Sequence, residues 1–571
     1  MIRRVTRLPG FRSASALSTA VVLALLPSAA WGQPHGTQPG TLRAPLEPAA
    51  RCTECHAGET TPAGRTYMAG DAWAPSMMAN AARDPLFLAT LTVAEQQSPG
   101  LGTACFRCHS PSGFTAGRAA NGFGTGLDPV LGDADGVHCD TCHRSIVPAG
   151  DANAPYLSNA QLTYSDAPVD GLPTRYGPRD DPAMSPRHPS MGSAFLRDPR
   201  LCGQCHNVDH PSIQRLSAAG VSTGQPFPLQ STYAEWAQSD FARRAQPETC
   251  QTCHMPEVGG DPLPSTRIPN APARAGQRRH DFLGGNEWGP ALMRAAFPGE
   301  LDAEFDAARA ATQASLRTAA TVAFVEPPST GAAGATVRVR VRVTNNTGHK
   351  LPTGYEDARL IWVQVRVGER VVSGAYVDDD LVRDAQARVY EFEAGRVEGG
   401  RAVHSNFVAQ HSTVLGDTRI PPRGMMADAR TAPVGRDYAG GENGALRHWD
   451  DASFEVPLPA TAGDVPVTVR LMYRATTKHY VEAIAAANTT DNRGRELLRL
   501  FNASGRAAPF EMASVTTTVR VTAAEAPPGD EGGCAVTPAG ATAPGAWRRW
   551  GAGLALALVP WGLRRRRRAR S

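Results

Sequence analysis

Lysine is almost absent from this chain. Lys350 and Lys478 are the two in 571 residues, and neither follows a cysteine. Long apolar runs are missing as well. The candidates, 20–26 and 550–563, fall short of the roughly 20 residues that span a bilayer as a helix. Positive charge is short in the middle of the chain. Four arginines precede residue 33 and eight follow residue 533, with no acid in either end, so the body holds 46 basic against 54 acidic groups, net −8. That excludes a nucleic-acid binder built on a basic face. No phosphate loop or Ser/His/Asp pattern rises above chance. The acidic trio Asp378, Asp379 and Asp380 reads as a solvated turn rather than a calcium site.

What is present is cysteine in one fixed context. Cys52, Cys55 and His56 form a Cys-x-x-Cys-His motif. So do Cys105, Cys108 and His109; Cys139, Cys142 and His143; Cys202, Cys205 and His206; and Cys250, Cys253 and His254. Ten of the eleven cysteines are used in this way. The spacing is the attachment signature of c-type haem. Both thiols form thioethers with the porphyrin edge, and the adjacent histidine binds the iron. A zinc or disulfide site accounts for one Cys-x-x-Cys, but neither requires a histidine directly after the second cysteine every time. Five covalently bound haem c groups are therefore predicted. The motif starts lie 53, 34, 63 and 48 residues apart, so no strict repeat exists.

The two ends read as sorting segments. Arg3, Arg4, Arg7 and Arg12, the apolar run 20–26 and the triplet Ala30-Trp31-Gly32 make 1–32 a secretory signal peptide. Export fits the haems, whose attachment takes place outside the cytoplasm. At the other end, Gly532-Gly533-Cys534 precedes a spacer, the apolar segment 550–563 and the cluster Arg564 to Arg568 with Arg570. This tail resembles the MYXO-CTERM sorting signal of myxobacterial surface proteins, which implies cleavage near Cys534 and delivery to the cell surface. A plain C-terminal membrane anchor is the alternative.

Residues 45–290 hold every motif within short helices and loops rich in proline and glycine, with few long amphipathic periods. Five packed porphyrins, being apolar, replace much of a side-chain core there. Short helices are expected around 73–83, 85–97 and 233–244. The alanine-rich stretch 301–322 reads as a helix, placed in a linking segment 291–322. Beyond it the period becomes two: Val337, Val339, Val341 and Val343 alternate with arginines. Segments 360–367, 467–473 and 515–521 repeat the pattern, predicting an antiparallel β-sandwich over 323–523. Residues 524–571 are linker and sorting or anchor tail. The fold class is thus multidomain α+β, a multihaem cytochrome domain followed by a β-sandwich.

Further segments carry a resemblance. They are Trp73-Ala-Pro-Ser-Met-Met, Gly136-Val-His before the third motif, Leu201-Cys-Gly-Gln-Cys-His-Asn and Tyr233-Ala-Glu-Trp-Ala-Gln-Ser. Cys250-Gln-Thr-Cys-His-Met-Pro, His280-Asp-Phe-Leu-Gly-Gly and Gly348-His-Lys-Leu-Pro-Thr-Gly complete the set. Residues 50–420 thereby resemble the multihaem cytochrome c family typified by the tetrahaem cytochromes of ammonia oxidisers. The family commonly has a histidine after the Trp-x-x-Ser element, where this chain has Met77 and Met78. A methionine thioether is the other common axial ligand, so Met77 is a candidate on a short helix opened by residues 73–76. Its alternative is core packing.

Ten histidines lie outside the motifs. His188, between Pro186 and Pro189, and His280, in a segment that the resemblance implies for ligation, are candidate sixth ligands. His210, four residues past a motif histidine, His138, abutting Cys139, and His349, in a glycine-flanked turn, are others. His35, His404, His411, His448 and His479 have no supporting context. Two functions follow. The first is an exported protein of the periplasm or outer cell surface, C-terminally anchored, passing electrons through closely packed haems without catalysing a reaction. Its redox partners would be other cytochromes or a membrane quinol-linked complex, and the acidic body favours a basic docking face. The second is a reductase or oxidase of a small nitrogen or sulfur compound at a five-coordinate haem. All five motifs end in histidine and none in lysine, which favours the first.

Overall fold

The computed structural model describes residues 35–524 apart from 59–66, 167, 170, 182–184, 186, 269–271 and 356. The signal segment 1–32 and the tail from 525, with Cys534, lie outside the described residues. The architecture is mixed α and β. Among the described residues no helix is long and apolar enough to cross a membrane.

Up to residue 290 the chain is built from short helices joined by turns. The longest is Pro85–Gln97, where Asp84 accepts the Leu86 N–H at 2.8 Å and proline takes the first position. Residues 73–83 depart from the expected helix. Ala69–Trp73 is helical, and turns follow. Pro75 has no N–H to continue the ladder. Ser76 Oγ accepts the Ala79 N–H, and Asn80 Nδ2 donates to the Ala74 and Ser76 carbonyls, so side chains take the bonds a helix would use. A long antiparallel hairpin, Val208–Leu216 with Ser222–Gln230, also breaks the short-helix pattern.

Gly289–Ala296 and Asp302–Ala319 are helices, and the second runs directly into the strand Ala320–Glu326. That strand pairs with Thr336–Asn345, which pairs with Trp449–Pro457, all antiparallel. Val339, Val341 and Val343 are fully buried, as their alternation with arginine requires. A second sheet runs in the order Thr330–Ala332, Phe510–Thr522, Gly463–Arg474, Leu360–Val367, Arg370–Ser373, with Arg388–Tyr390 also on Leu360–Val367. Its first pair is parallel, a departure from an all-antiparallel arrangement. Leu360–Val367 is central and buried on both faces. Ile361, Val363 and Val365 enter the main core, while Leu360 and Trp362 pack with Leu381 and Val389.

Two helices interrupt the β region, Lys478–Ala487 and Arg493–Ala503. Leu497, Leu500 and Phe501 form the inward stripe of the second. Both pack against Pro85–Gln97, where Thr92 bonds Asp491 and Gln96 bonds the Ala487 carbonyl. Ala89, Val93, Trp288 and Leu292 share one apolar cluster with both sheets. The motif-bearing part and the sheets therefore have a common core, which fixes the loop carrying His349 against the motifs.

Candidate functional site

Each motif histidine ends, or closely follows, a short helical turn. Those of the first, second, third and fifth motifs close Ala49–His56, Leu101–His109, Cys139–His143 and Cys250–His254. His206 follows Pro199–Gly203. All ten motif cysteines and all five motif histidines line one cavity of about 2120 Å³. A pocket for a single ligand is about 300–1,000 Å³. The wall is predominantly apolar, as a porphyrin needs.

The ten thiols form no disulfide. Cys52 touches Cys139, Cys108 touches Cys205, and Cys202 touches Cys250. Cys142 lies within electrostatic reach of Cys202 and Cys205. The five motifs are thus one connected set, with the fourth beside the second, third and fifth. Burial pushes the Cys105 thiol up to about 12 and Cys142 to about 11. Among the described residues no three His, Cys, Asp or Glu side chains converge on a point where a bare ion would sit.

The ring nitrogens follow a rule. Nδ1 of His56 bonds the Pro264 carbonyl at 2.6 Å, His109 that of Ala81 at 3.0 Å, and His143 that of Tyr176 at 2.7 Å. His254 bonds the Leu283 carbonyl likewise. His206 is the exception: the Gln230 amide nitrogen stands 3.1 Å from its Nδ1 and also reaches Thr232 Oγ1, so among the described residues no carbonyl orients this ring. A carbonyl partner places the proton on Nδ1 and leaves the Nε2 lone pair for a metal. Three further histidines do the same: His280 to Arg278 and His349 to Lys350, both at 3.1 Å, and His188 to Pro189 at 3.3 Å. All three line the cavity.

Two of them face motif histidines. The His143 and His280 ring centres are 6.2 Å apart at 25°, and those of His254 and His349 are 6.3 Å apart at 19°. A contact stack is much closer, as Phe87 on His109 shows at 3.7 Å. Two metal–nitrogen bonds of roughly 2 Å each, with about 1 Å from nitrogen to each ring centre, span about 6 Å. One metal ion fits between the rings of each pair. His188 lies within electrostatic reach of His56 and His143. Burial pushes His109, His206, His280 and His349 down to about 4, which keeps them neutral, the form that binds metal.

The remaining candidates separate. His138 lines the cavity at 1% exposure with both ring nitrogens unpartnered, a costly state that a ligand would relieve. Met77 also lines it, but its sulfur rests against Gly289, where an added Cβ would meet it at 2.7 Å. The structure does not bring His210 to the cavity wall. Its Nδ1 accepts the N–H groups of Ser212 and Ile213 at 3.2 and 3.0 Å, so the proton sits on Nε2 and no lone pair is left. His411 is buried outside the cavity, with Nε2 bonded to the Ser405 carbonyl at 3.0 Å. Asp379 and Asp380 pair with Arg506 and His479 instead of converging on a cation.

These residues fit five covalent haems: paired thiols beside Nε2-directed imidazoles, opening on one apolar cavity. No protein-family model matches the chain, and no curated protein matches it. A solved structure does. The chain is similar to a penta-heme cytochrome c552. That protein, from Thermochromatium tepidum, matches over 100% of its own length and 83% of this chain, at 17% identity and a TM-score of 0.48. Arg359, Tyr355, Tyr473 and Tyr480 also line the cavity from the β region, and no sequence motif marks them.

Proposed function

We propose that this protein is a pentahaem c-type cytochrome that carries electrons between redox partners. The observation that carries the reading is the shared orientation of the imidazoles. Four motif histidines, His56, His109, His143 and His254, and three others set Nδ1 against a backbone carbonyl, which leaves Nε2 free in the cavity that all ten motif thiols line. The bound haems would supply iron that alternates between ferric and ferrous states. The chain would hold each porphyrin by two thioethers, orients seven imidazoles through backbone carbonyls, and lines the cavity with an apolar wall. His143 with His280, and His254 with His349, would each hold one haem iron between them, and His188 would join His56 in holding another. His138 is a further ligand. The two sheets are read as a sandwich that donates His349 to the haem region. Export through 1–32, attachment through the tail, and partners among other cytochromes or a quinol-linked membrane complex complete the reading, as does a relation to the tetrahaem cytochromes of ammonia oxidisers.

A second reading has one specific support. Among the described residues, no imidazole faces His109 or His206 as His280 faces His143. A haem left five-coordinate there would suit reduction or oxidation of a small nitrogen or sulfur compound. EPR of the oxidised protein, with nitrite and hydroxylamine turnover, decides between them. Low-spin signals without turnover support electron carriage. A strong high-spin signal with turnover supports the enzyme.

A further inference from the structure

The cavity wall from the β region carries a half-buried cation and a buried hydroxyl that the assigned ligands do not use. Arg359 precedes the strand Leu360–Val367, and Tyr473 lies near the end of Gly463–Arg474. Their tips meet over Gly285. A Cβ added there would stand 3.1 Å from the Tyr473 hydroxyl and 3.7 Å from Arg359 Nη1, which places both tips close to this backbone. Tyr473 is 2% exposed, and its hydroxyl has no hydrogen-bond partner among the described residues. Arg359 Nη1 donates to the Thr353 carbonyl at 2.5 Å and has no carboxylate partner among the described residues. Glu287, which acts on Tyr473 electrostatically, gives its Oε2 to Arg309 and Gln313. Burial raises the Tyr473 pKa, so the hydroxyl stays a donor. Arg359 also acts electrostatically on His206.

A guanidinium and a free hydroxyl aimed into one apolar cavity call for an anion with two acceptor oxygens. We propose that Arg359 and Tyr473 form an oxyanion site beside the fourth motif, which takes a carboxylate-like group. Two sources share that chemistry: a propionate of the haem at His206, or a free small oxyanion. The site rests on the cytochrome reading.

The test uses the full haem-loaded chain. Potentials of the haems are measured by spectroelectrochemistry for the unmodified protein, Arg359→Gln, Arg359→Lys and Tyr473→Phe, with and without added nitrite or sulfite. A propionate predicts that Arg359→Gln lowers one potential, because a cation favouring ferrous iron is lost. Arg359→Lys largely restores it, and added anion changes nothing. A free oxyanion predicts a spectral or potential shift on adding nitrite or sulfite to the unmodified protein, lost in Arg359→Gln and weakened in Tyr473→Phe. Where Arg359→Gln does not fold, Tyr473→Phe, which loses one oxygen, carries the test. Unchanged potentials and anion responses in variants that keep five haems overturn the site and leave the cytochrome reading standing. Fewer than five haems in the unmodified protein overturn both.

Discussion

Which nitrogen of a histidine carries the proton decides what that histidine can do. In His56, His109, His143 and His254, and in His188, His280 and His349, a backbone carbonyl takes Nδ1–H and frees Nε2. In His210 two backbone N–H groups take the Nδ1 lone pair instead. Sequence context had raised all of these as candidates, but it does not contain the carbonyl that orients each ring. His280→Ala and His349→Ala are each expected to turn one low-spin haem high-spin while five haems remain, read by EPR; an unchanged spectrum removes the residue from the ligand set. His210→Ala is expected to leave every haem signal in place. Met77→Leu should leave all five potentials unchanged, since its sulfur packs on Gly289. A fall in the highest potential would restore it as a ligand. His411 gives a pH prediction. Burial depresses its folded value from 6.5 to about 4, so the folded state binds fewer protons than the unfolded state between those limits. Its contribution, up to about 3 kcal/mol, is present above pH 6.5 and is lost as pH falls toward 4. His411→Gln should flatten the decline in melting temperature across that window.

Elements were legible where one periodicity ruled. The alternating valines from 337 to 343 predicted Thr336–Asn345, and the alanine-rich run predicted Asp302–Ala319. The failures have local causes. Pro75, Ser76 and Asn80 replace a helix by turns. Leu497, Leu500 and Phe501 hold a helical period, but this short run lies between segments whose period is that of strands. The loop that carries His349 is held by charges sequence does not pair. Lys350 Nζ is fully buried 2.6 Å from Asp417, and Arg419 bonds Asp417 at 2.8 Å and forms an ion pair with Glu235 at 2.9 Å. Among the described residues, two cations and two carboxylates meet there. Lys350→Met would leave one guanidinium for both carboxylates and should cost about 3–5 kcal/mol, read as a lower urea midpoint. An unchanged midpoint would show that the network relaxes around Arg419.

At the scale of the molecule, five attachment points enclose one cavity, and a single apolar cluster joins the motif-bearing part to both sheets. The motif count and the residue types proposed as ligands can be read from the chain. Their adjacency could not, because contacts such as Cys108 with Cys205 join residues far apart in sequence. The intact mass of the mature protein, taken under denaturing conditions that retain only covalent groups, measures the main proposal directly. Five haem additions on every chain are predicted, one for each cysteine pair. A mass with fewer than five, or one restored to the bare polypeptide by denaturation, would contradict it.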